Sequence, residues 1–130
     1  MNNIYKNISR IEDFFYTLLY EKVSNNIYPN NLPISIDKSW KEIVVIDAGA
    51  AIRDMDAYGF GTILIYLYAK PLDNGIKDVA TMNVMETALV ECINSSAHPH
   101  YVVRRGSTYS DYDEGRNLHC NIYEINLTIV

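Results

Sequence analysis

Apolar residues at Ile4, Ile8, Ile11, Phe15, Leu18, Leu19 and Val23 recur every three or four positions, the spacing that lines up one stripe of an α-helix. This predicts an amphipathic helix ending near residues 24–26. Ser9 and Glu12 fit a capping box, while Ile4 and Ile8 on the same stripe fit an earlier start. The segment IYPNNLP, residues 27–33, carries two prolines and adjacent asparagines and reads as an irregular connector. From Trp40 the pattern turns strand-like. WKEIVVIDA, residues 40–48, holds the unbroken run Ile43, Val44, Val45 and Ile46, and GTILIYLYAK, residues 61–70, follows after a glycine-containing gap suited to a bend or open hairpin. On that second strand Ile63, Ile65, Leu67 and Ala69 form one face and Leu64, Tyr66 and Tyr68 the other. Both faces read as buried, which makes the strand central or places its tyrosine face under a neighbouring subunit.

KPLDNGIKD, residues 70–78, is a turn that supplies Asp78 as a helix N-cap. Val79, Met82, Met85, Leu89 and Ile93 then make the core stripe of a second helix, which ends through His98-Pro99 into a third strand, YVVRRGSTY. In the last strand, NLHCNIYEINLTIV, Leu118, Cys120 and Ile122 alternate in one phase and Tyr123, Ile125, Leu127 and Ile129 in the other. A shift by one residue is the mark of a bulge near Ile122 and Tyr123, or of a strand that leaves one sheet for another. The expected fold is therefore a two-layer α+β domain in the order α-β-β-α-β-β. It has an antiparallel sheet of about four strands with two helices packed on one face.

The chain has 130 residues, which suits a single domain over 1–130. With 48% hydrophobic and 21% charged residues it matches ordinary folded proteins. The apolar run at residues 61–69 is far shorter than the roughly 20 residues of a membrane helix, and the first residues lack a signal-peptide pattern, so a soluble intracellular protein is expected. A net charge of −5 with scattered acids disfavours tight nucleic-acid binding. Cys92 and Cys120 lack a CxxC partner and read as buried free thiols. Eleven tyrosines against three phenylalanines point to a surface covered by a partner, or to an AT-rich genome.

The loop RRGSTYSDYDEGRNLHC, residues 104–120, gathers three arginines, three acids, a histidine and a cysteine. Neighbours in an extended strand point to opposite faces, so His119 and Cys120 do not share a metal ion without a bulge. Nor is their adjacency a catalytic pair, since such partners meet in space rather than in sequence. Asp111, Asp113 and Glu114 lack the burial or fixed partner that tunes an acid–base carboxylate. YGFG, residues 58–61, opens into a strand rather than a helix and fails as a phosphate loop. No catalytic or metal-binding residue and no cofactor are expected, and Arg104 and Arg105 beside those acids read as complementary charges for a copy of the same chain.

The amphipathic opening helix ISRIEDFFYTLLYEKV, the central strand GTILIYLYAKP, the helix VATMNVMETALVECIN leading into HPHYVV, and the last strand CNIYEINLTIV cover nearly the whole chain. In this order they resemble the tail-terminator and tail-completion proteins of tailed bacteriophages and the neck ring proteins of crAss-like phages. The resemblance implies a structural virion protein of the neck or tail, assembled in the host cytoplasm. It would form a ring with copies of itself, dock to neighbouring connector and tail proteins, and let DNA pass through the lumen without sequence-specific contact. By position it implies subunit or ring contacts at the hairpin around Arg53, Asp54, Asp56 and Tyr58, and at the loop with Arg104, Arg105, Tyr109, Asp111, Tyr112, Asp113, Glu114 and Arg116. The tyrosine face of Tyr66 and Tyr68 is a further candidate contact. A non-enzymatic adaptor or protein-binding module, monomeric or dimeric, is the alternative reading. An enzyme would instead require Asp111, Asp113, His119 or Cys120 to converge in a pocket.

Overall fold

A computed structural model describes residues 3–49 and 52–130. The opening stripe forms α1 (Ile8–Leu19), with Ile11, Phe15 and Leu19 fully buried. Ile4 and Ile8 are 46% exposed each and stand off that stripe. Ile4 belongs to a separate 3-10 turn, Ile4–Lys6, where the Asn3 side chain accepts a bond from the Tyr5 amide at 3.0 Å. The helix starts after Asn7 rather than at a Ser9 capping box, and it ends before the expected position because Tyr20 turns extended, with ψ 133°, ahead of Glu21 at a positive φ of 65°. Val23 still reaches the core beyond that break.

The expected antiparallel sheet of about four strands is overturned: the sheet is six-stranded and mixed. Its strands are β1 (Ile27–Pro29), β2 (Glu42–Asp47), β3 (Arg53–Asp54), β4 (Gly59–Ala69), β5 (Tyr101–Asp113) and β6 (Leu118–Ile129). They are ordered β1-β2-β4-β6-β5, with the short β3 also paired to β4. β1 runs parallel to β2, placing Ile27 against Val44 and Pro29 against Ile46. The supposed connector thus supplies an edge strand, a position that tolerates proline because one side of the strand needs no ladder donor. β1 and β3, three and two residues long, are too short to show a period of two, which is why the pattern alone missed them.

α2 (Val79–Ser95) starts where its cap predicts: Asp78 accepts bonds from the Thr81 amide at 3.1 Å and the Thr81 hydroxyl at 2.8 Å. Both bonds favour the ionised carboxylate and hold its pKa below the ordinary value. Met82, Met85, Leu89 and Ile93 from α2 join Ile11, Phe15 and Leu19 from α1 in one apolar cluster. That cluster lies on the sheet face bearing Val44, Ile46, Ile63, Ile65, Leu67, Tyr123, Ile125, Leu127 and Ile129.

The phase shift in β6 has a different cause from the one expected. Its register with β4 is unbroken from Gly59–Ile129 to Tyr68–Cys120, so β6 carries no bulge against β4 and stays in one sheet. Tyr123, Ile125, Leu127 and Ile129 are buried under the helices, whereas Leu118, Cys120 and Ile122 are buried on the opposite face. The phase records which face is covered at each end. The irregularity instead falls in β5, between Arg105 and Thr108. There a Cβ on Gly106 would lie 3.2 Å from the Glu124 carbonyl oxygen, so the close approach of backbones calls for glycine.

Candidate interaction surface

Cross-strand partners share a face, so the registers assign each candidate side chain in a paired strand to one side of the sheet. Opposite the helices, Ile43, Val45, Leu64, Tyr66, Tyr68, Cys120 and Ile122 form the middle and one end of an outer face. Tyr109 pairs with Ile122 and Asp111 with Cys120, which puts both on this face. The Tyr66 and Tyr68 rings stack with centroids 6.4 Å apart, two residues apart along β4. Together with Asn31, Leu32, Asp47, Asp113 and Arg116 they line a recess of about 310 Å3. The Arg116 guanidinium donates to the Pro33 carbonyl at 3.4 Å, tying the β5–β6 turn to the connector.

Burial raises the Tyr66 hydroxyl pKa, and the Asp47 carboxylate adds to the effect because a second negative charge nearby is unfavourable. Tyr68 is pushed up further, first by burial and then by the Cys120 thiol across the ladder. Burial likewise raises the Cys120 pKa, so this thiol is a packed, protonated group rather than an activated nucleophile. Cys92, also free and buried, sits in the core on the far side of the sheet.

At the other end of the outer face the character changes. Arg53 pairs with Phe60, its guanidinium 5.6 Å from the ring centroid, and Tyr58 stacks on the same ring at 6.2 Å. Arg104 is the β5 partner of Asn126, whose β4 partner is Thr62. Asp54 is paired with Lys6 from the opening turn, which also donates to the Asp56 carbonyl at 3.0 Å. Lys6 was not a candidate, since nothing local in sequence signals a partner nearly fifty residues away.

Other candidates are separated from this face. Arg105 follows Arg104 but pairs with Ile125 on the helix side, so the two arginines cannot grip one group together. Tyr112 pairs with His119 there, with ring centroids 4.6 Å apart, and its hydroxyl bonds Asn117. Glu114 is exposed in the turn. His119 therefore points away from Cys120, Asp111 and Asp113, and these four do not converge. Among the described residues no group of three or more His, Cys, Asp or Glu side chains is placed to hold a metal ion.

Two arrangements have no counterpart in the sequence reading. The first is a polar network under α2, where Glu86 accepts from Asn121 at 2.8 Å and from the Tyr123 hydroxyl, while Lys77 and Ser110 donate to the Asn121 oxygen at 2.6 and 2.9 Å. It locks α2 to β6 and β5. A buried asparagine in an apolar strand was its only sequence signal. The second is an open cleft of about 750 Å3 where Lys38, Lys41 and Lys70 gather beside Asp73, Asp78 and Thr81. No helix among the described residues is long and apolar enough to cross a membrane. No protein-family model matches the chain, and no curated protein matches it in sequence.

Proposed function

We propose that this protein is a structural ring subunit of the neck or tail end of a tailed bacteriophage. In this reading it assembles with copies of itself, joins a connector to the tail, and leaves a lumen for DNA. The observation that carries the reading is the placement of two dissimilar exposed hairpins at opposite ends of one sheet. The Arg53–Tyr58 hairpin lies beside the Gly59–Ile129 rung, and the turn with Glu114 and Arg116 lies beyond the Asp113–Leu118 rung. A head-to-tail contact repeated by rotation closes a ring and needs two different surfaces on one chain. Their charges suit such a contact. Each hairpin carries both signs: Arg53 and Asp56 are exposed at the first, where Asp54 is taken up by Lys6, and Asp113, Glu114 and Arg116 are exposed at the second.

The chemistry also favours a structural role. The half-buried tyrosine hydroxyls and the Cys120 thiol are all shifted toward their protonated forms, the opposite of what a nucleophile or general base requires. Light scattering behind a sizing column, with electron microscopy of the same fractions, tests the proposal. Closed rings of about six or more copies are expected. A particle of one or two copies at every concentration, unchanged by added connector or tail protein, would replace the ring with the adaptor reading.

A further inference from the structure

β5 closes one end of the sheet and is paired only with β6, so the amides and carbonyls on its other side have no strand to bond. From Arg104 to Asp113 every residue is exposed, on the helix side as well as on the outer face, so neither helix overlies this stretch. The opposite end of the sheet is β1, three residues that include Pro29. A strand that short, with one amide missing, cannot cover an edge as long as Tyr101–Asp113. Of the strands in this chain, the one at an edge and long enough to do so is β5 itself.

We propose that β5 pairs antiparallel with β5 of a second copy, joining the two sheets edge to edge about a two-fold axis at the Ser107–Thr108 bond. Arg104 and Asp111 stand at equal distances on either side of that bond. The bulge between Arg105 and Thr108 changes the parity of the strand, so these two residues, an odd number of positions apart, come to the same outer face. Neither is in an ion pair within the chain, where Lys6–Asp54 is the one salt bridge among the described residues. In the paired strands each Arg104 lies directly opposite Asp111 of the other copy, twice over by symmetry, and on the helix side Val103 lies opposite Tyr112.

Charges on an exposed edge guard it when they repel an identical strand. Opposite charges placed symmetrically about a midpoint attract one instead. Two other registers also keep outer residues against outer residues. One sets Asp111 against Val102 and removes the direct ion pairs, and the other runs Val102 and Val103 past Asp113 into the turn. The register about Ser107–Thr108 pairs residues 102–113 throughout and supplies roughly ten backbone hydrogen bonds. This contact is symmetric and uses an edge, whereas the proposed ring needs a head-to-tail contact between the hairpin ends, so either can hold without the other.

Sedimentation velocity on the full chain over a range of concentrations, with amide hydrogen exchange read residue by residue by NMR, tests the pairing. The expected result is a two-copy species, or two-copy steps within a larger assembly, in which alternate amides of residues 102–112 exchange more slowly as concentration rises. Arg104→Asp and Asp111→Arg should each raise the Kd by about tenfold, because symmetry doubles every change. An equal mixture of the two variants should restore it, since each reversed charge then faces an opposite one. Both side chains are exposed, and circular dichroism melts verify that the variants fold; the exchange pattern of the parent chain decides the question should one fail. A chain monomeric at all concentrations would overturn the proposal, as would association that leaves the β5 amides exchanging as in the monomer or that both reversals leave unchanged. Rings whose β5 amides stay unprotected would keep the ring reading and remove the edge pairing.

Discussion

On the helix side of β4, Ile63, Ile65 and Leu67 are fully buried beneath α1 and α2, while on the outer side Leu64, Tyr66 and Tyr68 stay partly exposed. The two sets alternate along one strand and share a similar apolar character. They differ in what the rest of the chain lays over them. The helix side draws on α1, α2 and five strands to fill its volume with mainly aliphatic side chains. The outer side draws on the connector at residues 30–33 and the β5–β6 turn, which flank a recess rather than fill it. Half-exposed aromatic rings beside an open recess leave the outer face loosely packed, and a face closed by aliphatic packing is suited to stability.

Truncation should separate the faces most sharply. Leu67→Ala is expected to cost about 2–5 kcal/mol, because the transfer energy of the lost atoms adds to a cavity that the packed core cannot collapse. Tyr66→Ala, whose ring already meets solvent, should cost less than half as much. Urea unfolding of both variants measures the contrast, and equal losses would mean that the outer face is a second core. The polar network on the helix side comes next. Glu86→Ala strands the buried Asn121 amide and the Tyr123 hydroxyl and should cost about 1–3 kcal/mol. Glu86→Gln, which keeps an acceptor, should recover part of it.

Alkaline titration involves both faces. Burial raises the hydroxyl pKa of Tyr68 on the outer face and of Tyr123 on the helix side, where the Glu86 bond adds to the shift, and it pushes Tyr101 up to about 12. A folded-state pKa above the unfolded one means stability that is complete below the unfolded value of 10.0 and is lost as pH rises toward the folded value. Thermal melts should therefore weaken above about pH 10. Tyr68→Phe and Tyr123→Phe should each flatten that loss, and a slope untouched by either would refute the assignment. The smallest effect is acidic. Hydrogen bonds depress the Asp78 pKa below its ordinary 3.8, so its capping contribution is present above that value and lost as pH falls through the depressed one. Asp78→Asn should flatten the acid limb of the same melts.

The order and rough extent of α1, β2, β4, α2, β5 and β6 were legible in the chain because each repeats its own period over several residues. The cap at Asp78 was legible because it rests on atoms three residues apart. β1 and β3 were not, since three and two residues carry no period and their pairing is set by distant partners. The phase change in β6 was visible as a pattern but not in its meaning. Periodicity reports that a side chain is buried, and only the packing of α1 and α2 on one side decides which face Tyr123 or Ile122 is buried against. The candidate residues divide in the same way. Sequence placed Arg104 beside Arg105 and His119 beside Cys120, and the pleat sent each pair to opposite faces. Two core-facing helices and a tyrosine-bearing central strand could be read from local patterning, because each rests on neighbours a few residues apart. The parallel edge strand and the Glu86 network were decided only by tertiary structure, because each joins residues that are distant in the chain.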